Sequence, residues 1–273
     1  MKLWHRYNLV GLVPLLLGLG LTTPAISSEV APTLNSNIPP KTYLQLLEEP
    51  WSQDPRVKAA LETDNATLQS LSKDKPTLYD DISVVVGRMP QMLTPQAFLS
   101  EIANDPNGTI NYQPFDEYLS ENGDTLNELK RRNTSQPLQV GDIYDINLRL
   151  FAQLGVPDYE DDVSVMLTEL TDDHFILSSI TSGKTGKHPI NGSREFGFEE
   201  NEDGTVTFYT RAVAQIVDLP VDIGEGFGAP PEMGWTNFIK GIGTEIQTRG
   251  GESDLNSLRV QTATCDSLSR LSN

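Results

Sequence analysis

The sequence predicts an α+β protein in which an antiparallel β-meander packs on a C-terminal helix, after a mainly helical N-terminal region. Three patterns lead to this prediction. Helical spacing and helix-capping signals dominate residues 41–136. Short apolar or alternating runs separated by turn signals follow from residue 138. A period of about 3.6 residues then places five apolar side chains on one helix face: Trp235, Phe238, Ile239, Ile242 and Ile246.

The first 27 residues have the pattern of a secretory signal peptide. Two basic residues precede an almost wholly apolar run over 9–21, which is short for a membrane span. We expect cleavage near Ser27 or Ala25, and a secreted or periplasmic protein with no membrane insertion afterwards. An uncleaved membrane anchor is the alternative. Residues 28–40, rich in Pro, Ser and Asn, are predicted to be a linker.

Charge and cysteine usage narrow the classes of partner. The net charge is −18, and it becomes −20 without the two basic residues of the leader. Such acidity argues against nucleic acid and against anionic membrane surfaces, because both need clustered Lys and Arg. Cys265 is the only cysteine. The chain therefore has no internal disulfide and depends on core packing, and Cys265 is either an intermolecular bridge or an unpaired thiol.

The N-terminal region, residues 41–136, carries several helix signals. The run ISVVVGRM fits a strand or part of a helix, and the polar run at 131–137 is predicted to be a domain boundary. Predicted helices cover 42–49, stopped by Pro50; 54–64, opened by Asp-Pro; 94–105, capped by Thr94; and one or two segments within 114–132.

Residues 137–252 are predicted to form the α+β domain. Five runs read as strands of a meander, and the Asp-Gly tip within Asn201–Gly204 predicts a hairpin. The polar residues 253–273 have a weak helical pattern and are predicted to be a peripheral tail. The predicted strands lie within 139–150, 163–170, 174–180, 194–200 and 205–217.

The stretch NDPNGTINYQPFDEYL resembles an EF-hand loop. Asp105 and Asn107 fall on ligand positions if Gly108 is the turn glycine. The two outer ligand positions are Ala103 and Pro114, which offer no side-chain oxygen. We therefore predict a plain turn between two helices and no tight calcium binding.

Other motifs do not indicate a cofactor, metal or enzyme. The run SGKTGKH lacks the first glycine of a phosphate loop, because Ser178 stands there. His174 and His188 have no ligand neighbour at helical spacing, and no GxSxG element exists. The carboxylate pairs are typical of solvated turns in so acidic a chain.

The run GKHPINGSREFGFEENEDGTVTFY resembles a segment of a family of uncharacterised bacterial domains. In that family a Gly-His-Pro-x-x-Gly-like turn enters a hairpin before a C-terminal helix, and here a Lys is inserted after Gly186. The resemblance covers about residues 138–250 and implies a helix-grip (START-like) fold enclosing an apolar cavity. It implies a small-molecule site, for which we select His188, Arg194 and Trp235. The alternative roles are a turn residue for His188, a solvent-facing charge for Arg194 and a core aromatic for Trp235.

Three functional hypotheses follow. The first is an exported, non-enzymatic module that binds an apolar or amphipathic small molecule. The second is an exported interaction or scaffold protein that uses its helical N-terminal region to contact a protein partner whose identity the sequence does not give. The third is a hydrolase-type enzyme with an unrecognised site.

Overall fold

The strands predicted after residue 138 form the middle of one antiparallel sheet. The structure, a computed structural model, describes residues 43–110, 128–150, 159–217 and 229–265. It confirms the predicted fold class, because a meander of antiparallel strands packs on a helix near the C-terminus. The described residues all belong to one compact unit.

The helices and strands occur in the following chain order. The N-terminal part holds α1 (Leu44–Glu48), a 3₁₀ turn (Pro50–Gln53), α2 (Pro55–Thr63), β1 (Ala66–Leu68), β2 (Thr77–Arg88), α3 (Pro95–Asn104) and α4 (Pro106–Ile110). The rest holds β3 (Lys130–Arg131), β4 (Ile143–Leu150), β5 (Tyr159–Leu170), β6 (His174–Ser182), β7 (Ile190–Glu200), β8 (Val206–Ile216), α5 (Ala229–Thr248) and β9 (Glu252–Cys265).

The strand order in the sheet is β3-β4-β5-β6-β7-β8-β2-β9, and β1 pairs with β6 beside this path. Of the two alternatives for the run at 82–89, the strand is confirmed, because residues 82–88 belong to β2. The N-terminal region, predicted to be mainly helical, therefore supplies a strand to the same sheet. One sequence prediction needs correction here. Residues 252–265 form β9 where we predicted a polar tail with a weak helical pattern. Whether residues 137–252 fold as a separate domain stays a prediction.

Capping and turn residues set the ends of several elements. Asp54 accepts the Arg56 N–H at 2.7 Å at the start of α2, and Thr94 accepts the Ala97 N–H at 3.1 Å at the start of α3. Both predicted helices are therefore confirmed. The predicted hairpin is also confirmed, with Gly204 at a φ of 82° in the β7–β8 turn, a conformation that glycine adopts without strain.

The sheet has two covered faces. The inner face, defined as the side that packs on α3, α4 and α5, carries the largest core, which joins Phe98 and Phe238 to strand residues such as Phe196, Phe208 and Val84. Its aromatic rings pack closely, with the Phe175 and Phe196 rings stacked at 4.8 Å between centroids. These contacts place α5 against the sheet, as the apolar face predicted from residue 235 onward requires.

The outer face, defined as the opposite side, is covered by the first 20 or so described residues. Leu46 of α1 and Trp51 of the 3₁₀ turn pack with Tyr79, Ile176 and Val213 of the sheet. A second outer cluster joins Val57 of α2 to β4, β5 and β6. The apolar sides of these short helices are thus buried against the sheet.

Several predictions lie outside the described residues. They are the signal peptide at 1–27, the linker at 28–40, the part of the predicted helical stretch 114–132 up to residue 127, and the residues after 265. The described end of that stretch is not helical, because Lys130–Arg131 form β3. Of the helices within the described ranges, none is long and apolar enough to cross a membrane.

Candidate functional site

The inner face is divided into two halves of different composition. On β7 and β8 the register pairs Phe198 with Phe208 toward one end and Gly192 with Ala214 toward the other. Alternate residues of a strand share a face, so these four all lie on the inner side. One end, which we call the aromatic half, is filled by phenylalanine rings. The other end, the small-residue half, offers little side-chain volume.

Within the small-residue half, position 192 requires a glycine. Its φ is 132°, and a Cβ there would lie 2.0 Å from the Val213 carbonyl oxygen. No other residue fits this backbone without a shift. Ser179 of the adjacent strand accepts the Gly192 N–H at 3.0 Å and donates to its carbonyl oxygen at 3.1 Å. Any side chain at position 192 would therefore clash with the β8 backbone at this end of the face.

Arg194 lies where the two halves meet. Its Nη1 and Nη2 donate to the two carboxylate oxygens of Asp80 at 2.7 and 2.6 Å, and Nη1 also donates to Thr210 Oγ1 at 3.2 Å. The Arg194 and Asp80 side chains are 11% and 18% exposed. A bidentate pair of this kind fixes the guanidinium plane and leaves two of its five N–H donors outside these three bonds.

Trp235 covers the Arg194 guanidinium from α5. The Arg194 Cζ lies 4.4 Å from the Trp235 ring centroid, a cation–π distance. The same ring contacts Phe196 at 5.4 Å and Phe238 at 5.7 Å. The structure therefore brings together two of the three residues selected from the sequence, Arg194 and Trp235.

His188 has a different environment. Its N–H donates to Gln69 Oε1 at 2.6 Å, Gln69 Nε2 donates to its carbonyl at 2.8 Å, and its Nδ1 accepts the Ile190 N–H at 3.1 Å. Burial lowers the pKa of His188 to about 4. No described hydrogen bond or ring contact joins it to Arg194 or Trp235. These bonds organise the β6–β7 connection, and the ligand role of His188 stays a prediction.

Asp80 and Thr210 contact Arg194 at the candidate site, and the sequence does not select them. Asp80 interrupts the otherwise apolar stripe Leu78-x-Asp80-x-Ile82-x-Val84 of β2. A carboxylate in such a stripe needs a buried partner, but the stripe becomes a signal only once β2 is placed in the sheet. Thr210 gives no comparable signal, since threonine is common on strands.

A second arginine cluster lies on the outer face. Arg211 of β8 pairs there with Asp81, the β2 residue that follows Asp80. Arg211 contacts Asp81 and Glu199, each at 2.8 Å, and Glu195 at 4.0 Å, and its Cζ lies 3.7 Å from the Tyr209 ring centroid. Tyr209 donates its hydroxyl hydrogen to Glu195. Burial and the nearby Glu195 charge raise the pKa of Tyr209, so the phenol stays protonated.

His174 lies near this outer cluster. Its Nε2 lies 3.1 Å from Glu169 and its Nδ1 lies 2.8 Å from Asp173. The hydrogen bond to Glu169, assisted by Asp173, raises the pKa of His174 to about 9. Gln45 of α1 donates to the same Glu169 at 2.9 Å. The protonated imidazole thus ties the β5–β6 turn to the helix that covers the sheet.

The EF-hand-like stretch needs a correction, because residues 106–110 form α4 where a plain turn was predicted, and only Asp105 separates α4 from α3. Asp105 accepts the Gly108 N–H at 3.0 Å, and Asn107 Nδ2 donates to the Leu129 carbonyl at 2.9 Å. The Asp105 side chain therefore serves the start of α4, and the Asn107 side chain links α4 to the segment before β3. Within the described ranges, no group of three or more His, Cys, Asp or Glu side chains could hold a metal ion. Position 114 lies outside those ranges.

The run SGKTGKH, which lacks the first glycine of a phosphate loop, makes contacts within the protein. Lys184 Nζ lies 2.6 Å from Asp145, and the Thr185 hydroxyl lies 2.7 Å from that of Ser164. These side chains join the β6–β7 connection to β4 and β5, which is a structural role.

Comparisons with known proteins give structural likenesses only. No protein-family model and no curated protein matches the chain. A conserved protein from Geobacillus kaustophilus is 13% identical with a TM-score of 0.37, covering 64% of this chain and 98% of its own. The di-domain ARO/CYC StfQ from the steffimycin biosynthetic pathway is 12% identical with a TM-score of 0.39, covering 63% of this chain and 52% of its own. Ara h 8.0201 is 9% identical with a TM-score of 0.37, covering 62% and 99%. At these TM-scores the likenesses carry no inference about ligand or activity.

Proposed function

We propose that the protein is exported and binds an apolar or amphipathic small molecule against the small-residue half of the inner face. The observation that carries the proposal is the change of composition along one face of the sheet. On β7 and β8, phenylalanine rings fill one half of the face, while Gly192, Ala212 and Ala214 give the other half little side-chain volume, which Leu78 of β2 borders. Ligand sites in proteins combine an apolar wall with a few oriented polar groups.

Arg194, Asp80 and Trp235 supply the oriented polar groups and the wall. The guanidinium and the carboxylate neutralise each other, so a ligand entering here meets a dipolar pair without a net charge. That arrangement suits an uncharged hydroxyl or carbonyl at the polar end of an otherwise apolar molecule. The Trp235 ring offers its apolar surface beside the pair.

The interaction-protein alternative remains a prediction. On the described α1 and α2, Leu44 is the one exposed large apolar side chain, because Leu46 and Val57 are buried against the sheet. The hydrolase alternative likewise remains a prediction.

Native mass spectrometry of the protein, purified after export from its own cell, tests the proposal. We expect one small molecule to be retained per chain by the wild type. Ala212→Phe should abolish retention, because Ala212 lies beside Arg194 on the inner face and a phenyl ring would occupy the proposed ligand position.

The matched control is Ala263→Phe, the same change on the outer face of β9. It should leave retention unchanged. Equal retention by wild type and Ala212→Phe, with the fold of both verified by circular dichroism, would place any ligand elsewhere and contradict the proposal.

A further inference from the structure

The two edges of the sheet are protected to very different degrees. One edge is β3, a strand of two residues whose Arg131 is locked in an ion pair with Asp142 at 2.6 Å. The other edge is β9, which spans 14 residues. Proteins protect sheet edges with short strands, Lys, Pro or bulges, because unpaired backbone groups otherwise accept another strand.

The first part of β9 carries such protection and the second part does not. The register with β2 is broken between the Ser83–Arg259 and Val85–Asp254 pairs, and Ser257 Oγ accepts the Val85 N–H at 2.8 Å in place of a backbone carbonyl. From residue 259 to 265 the register is continuous. This segment, RVQTATC, has one charge and no Pro or Lys.

The direction of the free backbone groups follows from the Val85 bond. The N–H of Val85 points toward β9, and backbone groups alternate in direction along a strand. The odd-numbered residues 77–83 of β2 therefore bond to residues 259, 261, 263 and 265. The N–H and C=O groups of Val260, Thr262 and Thr264 then point away from β2. Thr262 and Thr264 are exposed, and no described strand pairs with this edge.

We propose that two copies of this chain associate by antiparallel pairing of their β9 edges about a two-fold axis at Thr262. In this register Thr262 of each copy exchanges two backbone hydrogen bonds with Thr262 of the other, and Val260 pairs with Thr264. Threonine and β-branched residues are favourable cross-strand neighbours. The single charge, Arg259, falls opposite the uncharged Cys265, so no like charges meet. Since a two-fold axis uses the β9 edge of both copies, the assembly closes at two chains.

The overall acidity of the chain provides a signature of self-association. Two copies with a net charge of −18 repel each other, and salt screens that repulsion. Pairing with a second copy should therefore strengthen as ionic strength rises. A basic peptide on the same edge would show the opposite dependence, because salt would screen an attraction.

Sedimentation velocity over a concentration series, at low and high sodium chloride, tests the proposal on the full exported protein. We expect a monomer–dimer equilibrium that shifts toward dimer with concentration and with salt. Thr262→Pro should abolish the dimer, because it removes the central edge N–H without removing a bond to β2. Thr262→Val keeps the N–H and the β-branch, so it should associate like the wild type.

A charge-pair experiment tests the register even if Thr262→Pro fails to fold. Thr262→Lys and Thr262→Glu each place like charges opposite each other on the two-fold axis, so each variant alone should be monomeric. Mixing the two should restore the dimer. A wild type that stays monomeric, a dimer unaffected by Thr262→Pro or Thr262→Lys, assembly beyond two chains, or a mixture that stays monomeric would each overturn the proposal.

Discussion

Two arginine clusters occupy opposite faces of the same strands. Arg194 and Arg211 both pair with neighbouring carboxylates of β2, Asp80 and Asp81, and both lie over an aromatic ring. Their side chains are almost equally buried, at 11% and 13% exposure. The unit of arginine, aspartate and aromatic ring is therefore the same on both faces.

The surroundings of the two units differ. Arg211 faces three carboxylates and lies among the contacts that hold α1 and the turns of the outer face. Arg194 faces one carboxylate and borders the small-residue half of the inner face. A buried ion pair is weak evidence of stabilisation in itself. The comparison teaches that the same ion pair and ring can border either other charges or small residues, and our binding proposal rests on the small residues beside Arg194.

The largest expected effect is on the inner aromatic core. Phe238→Ala removes a ring that is 1% exposed and lies 5.2 Å from Phe196. We expect a loss of about 3–5 kcal/mol in the free energy of unfolding, measured by urea titration. A variant that unfolds like the wild type would show that α5 is not packed on the inner face.

Replacing each of the two arginines by methionine tests the comparison directly. Removing one partner of a buried pair costs about 3–5 kcal/mol, because the other charge is left buried. We expect Arg211→Met to cost more than Arg194→Met, since it leaves three carboxylates rather than one. Urea titration of both variants checks the order. Equal losses of unfolding free energy in the two variants would mean that solvent screens the charges of Glu195 and Glu199.

Acid stability tests the buried state of His188. Its folded-state pKa of about 4 lies below the ordinary value of 6.5, so the unfolded chain binds the extra proton between these values. Stability is unaffected above pH 6.5 and falls as pH decreases toward 4, by on the order of 3 kcal/mol. His188→Gln should flatten this part of the curve of unfolding free energy against pH. An unchanged curve would place the acid sensitivity in the carboxylates.

His174 on the outer face has the opposite dependence. Its folded-state pKa of about 9 lies above 6.5, so its stabilisation is fully present below pH 6.5 and is lost as pH rises through 9. His174→Asn should therefore destabilise the protein at pH 6 and have little effect at pH 10, by thermal unfolding at both values. A destabilisation that is equal at the two values would indicate packing rather than charge.

The smallest expected effect is at the EF-hand-like turn on the inner side. Asp105→Ala removes the side-chain acceptor of the Gly108 N–H and should cost about 1 kcal/mol. Thermal unfolding with calcium and with a chelator should give the same difference in both. A calcium-dependent rise in melting temperature that Asp105→Ala abolishes would contradict the turn interpretation.

The parts of the fold that the sequence predicted are those with a strong local signal. The alternation in β5–β8, the Asp-Gly hairpin tip, the caps of α2 and α3 and the apolar face of α5 are all local patterns. The pattern did not predict β9, because an edge strand with polar residues such as Asn256, Gln261 and Thr262 shows little alternation. β2 stayed ambiguous because a short β-branched run fits both periods.

The candidate site was predicted in part for a related reason. Arg194 and Trp235 lie in segments whose structure was predicted correctly, so their meeting could be anticipated. Asp80 is 114 residues from Arg194 in sequence, and only the position of β2 in the sheet brings the two together. A single sequence contains no local signal for that pairing.

The position of β2 also fixes the order of events after synthesis. Val85 bonds to Ser257, which follows it by 172 residues, and β2 lies between β8 and β9. The β9 edge of the sheet therefore cannot form until nearly the whole chain has been made. Closing such long loops is slow compared with local hairpin formation. For a chain that we propose is exported, one side of β2 then stays unpaired until residues 252–265 have left the translocation channel.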